Sequence, residues 1–245
     1  MRESVIRYTT RQAAALALAG GLAIGLYAFQ GADLQEARAT NEPLQAVVSG
    51  AARVIDGDTI EVSGQRIRLE GIDAPETAQH CQRAGGGVWP CGRMATEALE
   101  ALVRTADVVC HRHGNDRYGR MLGVCFANGL DINAMLVRRG HAWAFVRYSR
   151  TYVGVEAEAR RQRAGIWQAD NQPAWDYRAN RWASAEQAAP AGCAIKGNVS
   201  RHGRIYHMPW QPWYGRVRID AERGERWFCD EAEAIKEGWR PAVGG

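Results

Sequence analysis

Between residues 46 and 69 apolar positions alternate with polar ones, the period-two pattern of half-buried strands. Two turn dipeptides, Asp56-Gly57 and Ser63-Gly64, interrupt it and predict successive hairpins, with Ile67 and Leu69 on one strand face. Residues 40–46 read as an exposed lead-in. Over 92–105 the period changes: Met94, Ala98 and Leu102 recur at i, i+4 and i+8, which predicts a helix with those residues inward. Residues 108–112 and 121–126 return to strand alternation. Asp131 is a helix cap, followed by Ile132, Met135 and Leu136 as an inward stripe and by Gly140 as a stop. A third helix is expected over 152–164, ending at Gly165, with Glu156, Glu158, Arg160, Arg161 and Arg163 on its solvated face. Strands, a helix, strands and then helices, without βαβ alternation, imply an α+β fold built around a small antiparallel barrel.

The ends divide the chain further. Arg2, Arg7 and Arg11 precede a charge-free apolar run over 13–29, and Ala37-Arg38-Ala39 has the small-x-small form of a cleavage site. Residues 1–39 are therefore expected to be a signal peptide or an uncleaved membrane anchor, the run being short for a span. Either way the protein is exported, to the periplasm or outside the cell, the anchored form remaining at the inner membrane. One main domain over 46–182 follows, then a small polar linker over 183–191, then a small C-terminal domain over 192–245 rich in Trp, Tyr, Gly and Arg. In so small a unit its aromatic residues are expected to form the core.

Composition adds little: 31 Lys and Arg against 27 Asp and Glu give a net charge of +4, which permits nucleic-acid binding without arguing for it. The six cysteines say more. An even count in an exported chain, with no C-x-x-C pair, favours disulfides over metal thiolates. Of the possible pairings we expect Cys81–Cys91, Cys110–Cys125 and Cys193–Cys229. His111 and His113 share a strand face, but no third ligand is near in sequence, so they read as a polar strand end.

The chemistry concentrates in VIDGDTIEVSGQRIRLEGIDAPET, residues 54–77, where six carboxylates sit among strands that ordinarily avoid such residues. Asp58, past the first turn, and Asp73, at the end of the third strand, meet if those strands are adjacent, and a hard divalent cation wants such oxygens. Pro75 favours an extended Ala74, whose carbonyl then points the same way. Arg68 lies five residues before Asp73, on the opposite face of a straight strand, and Gly71 supplies a bend between them. Asp56 is expected to be a turn residue, and Glu61 and Glu70 solvated strand acids.

Three motifs in order, DGDT at 56–59, R-x-x-x-x-D-x-P-E at 68–76 and D-x-Y-G-R at 116–120, resemble the staphylococcal nuclease family over roughly 47–167. The resemblance implies a five-stranded OB-type antiparallel β-barrel with three helices. It implies Ca²⁺ as cofactor, held by Asp58, Asp73 and the carbonyl of Ala74, the last standing where the family often has Thr. Glu76 would be the general base, and Arg68 and Arg120 the phosphate clamp. Arg117, replacing a Lys, and Tyr118 would contact the nucleotide's phosphate, and Tyr148 would pack against the nucleotide. The implied reaction is endonucleolytic hydrolysis of DNA and RNA with little sequence preference, leaving 3′-phosphate ends. The alternative is a non-catalytic module of the same fold that binds nucleic acid or an envelope partner. The C-terminal segment resembles the sunset domain of exported bacterial enzymes through I-K-G-N, Y-H-x-P, W-F-C and E-A-x-x-x-G-W-R. No protein partner is inferred, and the chain is expected to be a monomer.

Overall fold

The computed structural model describes residues 47–242, all of them within one compact unit. The leader expected over 1–39 lies outside the described residues. Short strands open the described residues: β1 (Val47–Gly50), β2 (Ala52–Val54), β3 (Thr59–Val62), β4 (Gln65–Leu69) and β5 (Ile72–Asp73). A small hairpin of β6 (Cys81–Gln82) and β7 (Val88–Trp89) leads into α1 (Cys91–Val103). Then come β8 (Val108–Asn115), β9 (Met121–Ala127), β10 (Leu130–Asp131), α2 (Ile132–Arg138), β11 (Trp143–Ala144) and α3 (Val153–Arg161). A long helix α4 (Ala174–Ala188) precedes β12 (Ile195–Ser200), β13 (Gly203–His207), β14 (Arg226–Phe228), α5 (Glu231–Lys236) and β15 (Arg240–Pro241).

The main sheet runs β1-β8-β9-β4-β3-β2, with β10 added to β9. Its two edge strands, β1 and β2, are successive in the chain with only Ala51 between them, so the sheet must curl until its edges approach. No ladder joins those edges. The α+β, OB-type architecture is present, whereas a five-stranded, purely antiparallel closed barrel is not: seven strands take part, and β4 pairs with β9 in parallel. The parallel pair follows from connectivity, because α1 and β8 intervene and bring the chain back in the same direction.

Inside the curl lie Ile60, Ile67, Leu69, Ile72, Met121, Leu136 and Val137, covered by α1 and α2. The inward stripe of α1 is Cys91, Ala95, Leu99 and Val103, one residue on from the expected Met94, Ala98 and Leu102, and Met94 is exposed. The helix start sets this rotation. Cys91 is bridged to Cys81, and a Cβ on Gly92 would lie 1.7 Å from the backbone oxygen of Glu76. Only the bare face of Gly92 lets the helix sit so close to the chain carrying Glu76. Asp131 caps α2 as expected, accepting from the Ala134 N–H at 2.9 Å. Within α2, buried Asn133 donates to the carbonyls of Glu70 and Gly123 and accepts from the Cys125 N–H, pinning the end of β4 to β9. The α3 face is only partly solvated, since Glu156 is buried and accepts from the Ala144 N–H at 3.1 Å.

All three expected disulfides are formed, and no free cysteine remains. A second core of Cys81, Trp89, Cys91, Trp143 and Ile166 is flanked by Trp175, and a third, of Ile195, Tyr206, Met208, Phe228 and Trp239, by Trp182. Both flanking tryptophans stand on α4. The linker expected over 183–191 is thus helical through Ala188. Of the aromatic residues expected to form the core of the last segment, Tyr206, Phe228 and Trp239 do so and Trp210 packs against them, whereas Tyr214 and Trp227 lie outside that core and Trp213 is exposed. Among the described residues no helix is long and apolar enough to cross a membrane.

Candidate active site

The loop from β2 to β3 delivers Asp58. Asp56 accepts from the Asp58 N–H at 3.1 Å, which makes it the turn residue expected, and the Leu69 N–H donates to the Asp58 carbonyl at 2.8 Å. The β3–β4 register sets Thr59 opposite Arg68, which brings Arg68 beside the loop end that carries Asp58. Gly71, with φ +74°, then turns the chain into β5, where Asp73 pairs with Trp143 of β11. The bend brings Arg68 onto both acids: its Nη2 lies 3.0 Å from Asp73 Oδ1 and 3.4 Å from Asp58 Oδ2. The Ala74 N–H also faces Asp58 Oδ2, at 3.4 Å.

Glu76 follows, held at its backbone by Gln79. The Glu76 N–H donates to Gln79 Oε1 at 3.2 Å, the Gln79 N–H donates to the Glu76 carbonyl at 2.7 Å, and Gln79 Nε2 donates to the Gln172 carbonyl at 2.8 Å. Asp58, Arg68 and Asp73 therefore meet, and Glu76 is joined to Asp73 through Arg178.

The second loop of the site, between β8 and β9, is tied by Asp116, whose Oδ1 accepts from the N–H groups of Tyr118 and Arg120. Arg120 Nε donates to Asp116 Oδ2 at 2.6 Å, leaving the two terminal nitrogens of its fork for another partner. Tyr118 is flanked by guanidiniums, Arg117 at 4.6 Å and Arg120 at 5.6 Å from its ring. Tyr148 is exposed, 69% accessible, and packs at a tilt of 59° against Phe145, which in turn stacks on Trp175. His111 and His113 part company: His111 meets the Phe126 ring, while His113 Nδ1 lies 2.7 Å from Glu70.

One residue in the site carries no sequence motif. Arg178 of α4 reaches in from more than a hundred residues away: Nη2 lies 2.9 Å from Asp73 Oδ2, and Nη1 lies 3.0 Å from Asp73 Oδ1 and 2.7 Å from Glu76 Oε1. A signal for it exists. Trp175, Arg178 and Trp182 stand at i, i+3 and i+7, one helix face.

Four carboxyl groups, Asp56, Asp58, Asp73 and Glu76, thus share this mouth with Arg68 and Arg178. Burial tends to raise Asp58, but Arg68, with Arg178 and Arg120, holds it below the usual carboxylate range. Asp56 is pushed up to about 6 by burial and then by the charge of Asp58. Glu76 is pushed up to about 7 by burial, against the pull of Arg178 and with the help of Asp73 and Asp56. The mouth thus holds more carboxyl groups than guanidiniums, four against Arg68, Arg178 and Arg120. Buried carboxylate oxygens in that state suit a hard divalent cation. No group of three or more His, Cys, Asp or Glu residues placed to hold a metal ion occurs among the described residues.

Residues 66–169 match the family model described as staphylococcal nuclease homologue; Asp58 lies ahead of that match. The succinoglycan biosynthesis protein ExoI of Rhizobium meliloti (strain 1021) is 38% identical over 137 residues, 55% of this chain and 72% of that protein. An uncharacterized endonuclease of Escherichia coli O157:H7 is 40% identical over 134 residues, 51% of this chain and 81% of its own. A micrococcal nuclease of Shigella flexneri is 36% identical over 144 residues, 51% of this chain and 77% of its own. By its matched domain and these relatives, the chain belongs to the staphylococcal nuclease family and is a nuclease, a hydrolase acting on nucleic acid.

Proposed function

We propose that this protein is an exported, Ca²⁺-dependent endonuclease that hydrolyses DNA and RNA with little sequence preference and leaves 3′-phosphate ends. The observation that carries the reading is Arg68 set between Asp58 and Asp73 at hydrogen-bond range, with Glu76 beside them. Asp58, Asp73 and the carbonyl of Ala74 would hold the cation, which when bound supplies Lewis-acid stabilisation of charge on a phosphoryl oxygen.

The other steps belong to side chains. Arg68 and the free end of the Arg120 fork would bind non-bridging oxygens bidentately, a geometry that favours guanidinium over ammonium. Such fixed donors meet charge as it develops in the transition state. Glu76, once ionised, takes the proton from the attacking water. The leaving oxygen is the 5′ oxygen, since the product keeps phosphate on its 3′ end. Arg117 and Tyr118 would contact the nucleotide's phosphate, and Tyr148 would pack on the nucleotide. Phosphate contacts of this kind position a strand without reading its bases. Three disulfides support an oxidising compartment.

A specific contact favours the second reading, a non-catalytic binding module: Arg178 covers Asp73 and Glu76. Plasmid and RNA degradation by oxidised protein lacking residues 1–39, with Ca²⁺ and with chelator, separates the two. Ca²⁺-dependent cleavage leaving 3′-phosphate ends supports the enzyme; binding without cleavage in either condition supports the module.

A further inference from the structure

We propose that Arg178 is an internal counter-cation that competes with a divalent metal for Asp73 and Glu76, so that metal enters by displacing the Arg178 side chain. The inference rests on the reading of Asp58 and Asp73 as a cation site.

The geometry carries it. One guanidinium makes three hydrogen bonds to two acids: a bidentate pair to Asp73 at 2.9 and 3.0 Å and a third to Glu76 at 2.7 Å. The Asp73 side chain has no exposed surface. Its Oδ1 meets both Arg68 and Arg178, and its Oδ2 meets Arg178. A divalent ion bonds carboxylate oxygen at about 2.3–2.6 Å and needs a lone pair to itself. Three of the about four acceptor positions of Asp73 are thus taken, and a cation at the one left on Oδ2 meets the positive charge of the Arg178 fork bonded to that same oxygen.

Electrostatics points the same way. Four carboxyl groups face Arg68, Arg178 and the more distant Arg120, and withdrawing Arg178 leaves four acids against Arg68 and Arg120. That imbalance is what a doubly charged ion corrects. Arg178 thus stabilises the metal-free site and opposes loading by the same contacts.

Arg178 also stands on an element suited to release it. Of the fifteen residues of α4, Ala174 alone is fully buried, and no side chain caps its start. The helix is held mainly by Trp175, against Trp143 and Phe145, and by Trp182, against Trp210. Those contacts flank Arg178 on either side and do not involve its guanidinium. The long side chain can swing out while both tryptophans keep their places.

The test is Ca²⁺ binding by titration calorimetry, on oxidised protein lacking residues 1–39, for wild type, Arg178→Gln and Arg178→Lys, with melting temperature in chelator and in Ca²⁺ as second readout. Arg178→Gln removes the charge, and Arg178→Lys keeps it but loses the fork. We expect Ca²⁺ to bind Arg178→Gln at least about tenfold more tightly than wild type, with Arg178→Lys between. In chelator Arg178→Gln should melt below wild type, and Ca²⁺ should raise its melting temperature by more. Equal or weaker Ca²⁺ binding by Arg178→Gln overturns the competition. Should Arg178→Gln not fold in chelator, Arg178→Lys decides: affinity equal to wild type overturns the proposal. If none of the three binds Ca²⁺, the cation-site reading itself fails. Equal binding by all three leaves that reading standing and removes only the role of Arg178.

Discussion

Arg68 and Asp73 are five residues apart, yet Arg68 Nη2 lies 3.0 Å from Asp73 Oδ1. A straight strand would put them on opposite faces. The turn between them is Gly71, at φ +74°, where an added Cβ would come within 3.1 Å of the Tyr152 ring. An alanine there would bear about 1–2 kcal/mol of backbone strain besides that contact. We expect Gly71→Ala to lower the melting temperature and to cost activity even well below it, because the Arg68–Asp73 pair is displaced. Melting curves with activity at low temperature check this. A variant as active and as stable as wild type would show that the bend is not needed.

Cys110 and Cys125 are direct cross-strand partners on β8 and β9, the strands that carry the Arg120 loop. Closing a loop of this length is worth about 2–4 kcal/mol. The double variant Cys110→Ser, Cys125→Ser should lose that much stability in a denaturant titration. An unchanged midpoint would place the stabilisation elsewhere.

Glu76 gives a pH prediction for the metal-free protein. Its folded pKa, about 7, stands above its ordinary value of 4.5, so between these values the folded state holds more proton than the unfolded one. Stability from this group is then fully present below about pH 4.5 and is lost as pH rises through about 7. In chelator, the melting temperature of wild type relative to Glu76→Gln should fall from pH 5 toward pH 8, at about those bounds. Parallel curves across that range would mean that Glu76 ionises as an ordinary carboxylate.

Gln79 is buried and touches the backbone on both sides of its role, Glu76 and Gln172. Gln79→Ala leaves the Glu76 N–H without its partner and frees the loop that carries Glu76, the proposed base. Steady-state kinetics should show kcat falling by about 10-fold or more with KM little changed, as for loss of positioning alone. A change confined to KM would assign Gln79 to binding instead.

Much of this site was legible in the sequence, because its parts sit in short motifs whose turn residues fix their direction. Asp56-Gly57, Gly71 and Pro75 say where the chain bends, and the bends bring Asp58, Arg68, Asp73 and Glu76 together. Asp131 announced α2 for a similar local reason. What was not legible depends on distant packing. The face of α1 turns by one residue because Gly92 is pressed against the Glu76 backbone. Glu156 reads as a solvated helix acid, yet the Ala144 N–H of β11 draws it inside. Arg178 lies between Trp175 and Trp182, outside the three motifs that mark the other site residues. Its role arises only because Trp175 and Trp182 pin α4 to two different cores.

In the proposed mechanism the acids gathered at Arg68 serve phosphodiester hydrolysis, with Glu76 as the base. Its most direct test is kcat for wild type and Glu76→Gln on a defined single-stranded oligonucleotide in Ca²⁺, with substrate binding measured alongside. We predict that Glu76→Gln binds the oligonucleotide as wild type does and loses about 10²–10⁴-fold in kcat. Cleavage by Glu76→Gln at the wild-type rate would contradict the account.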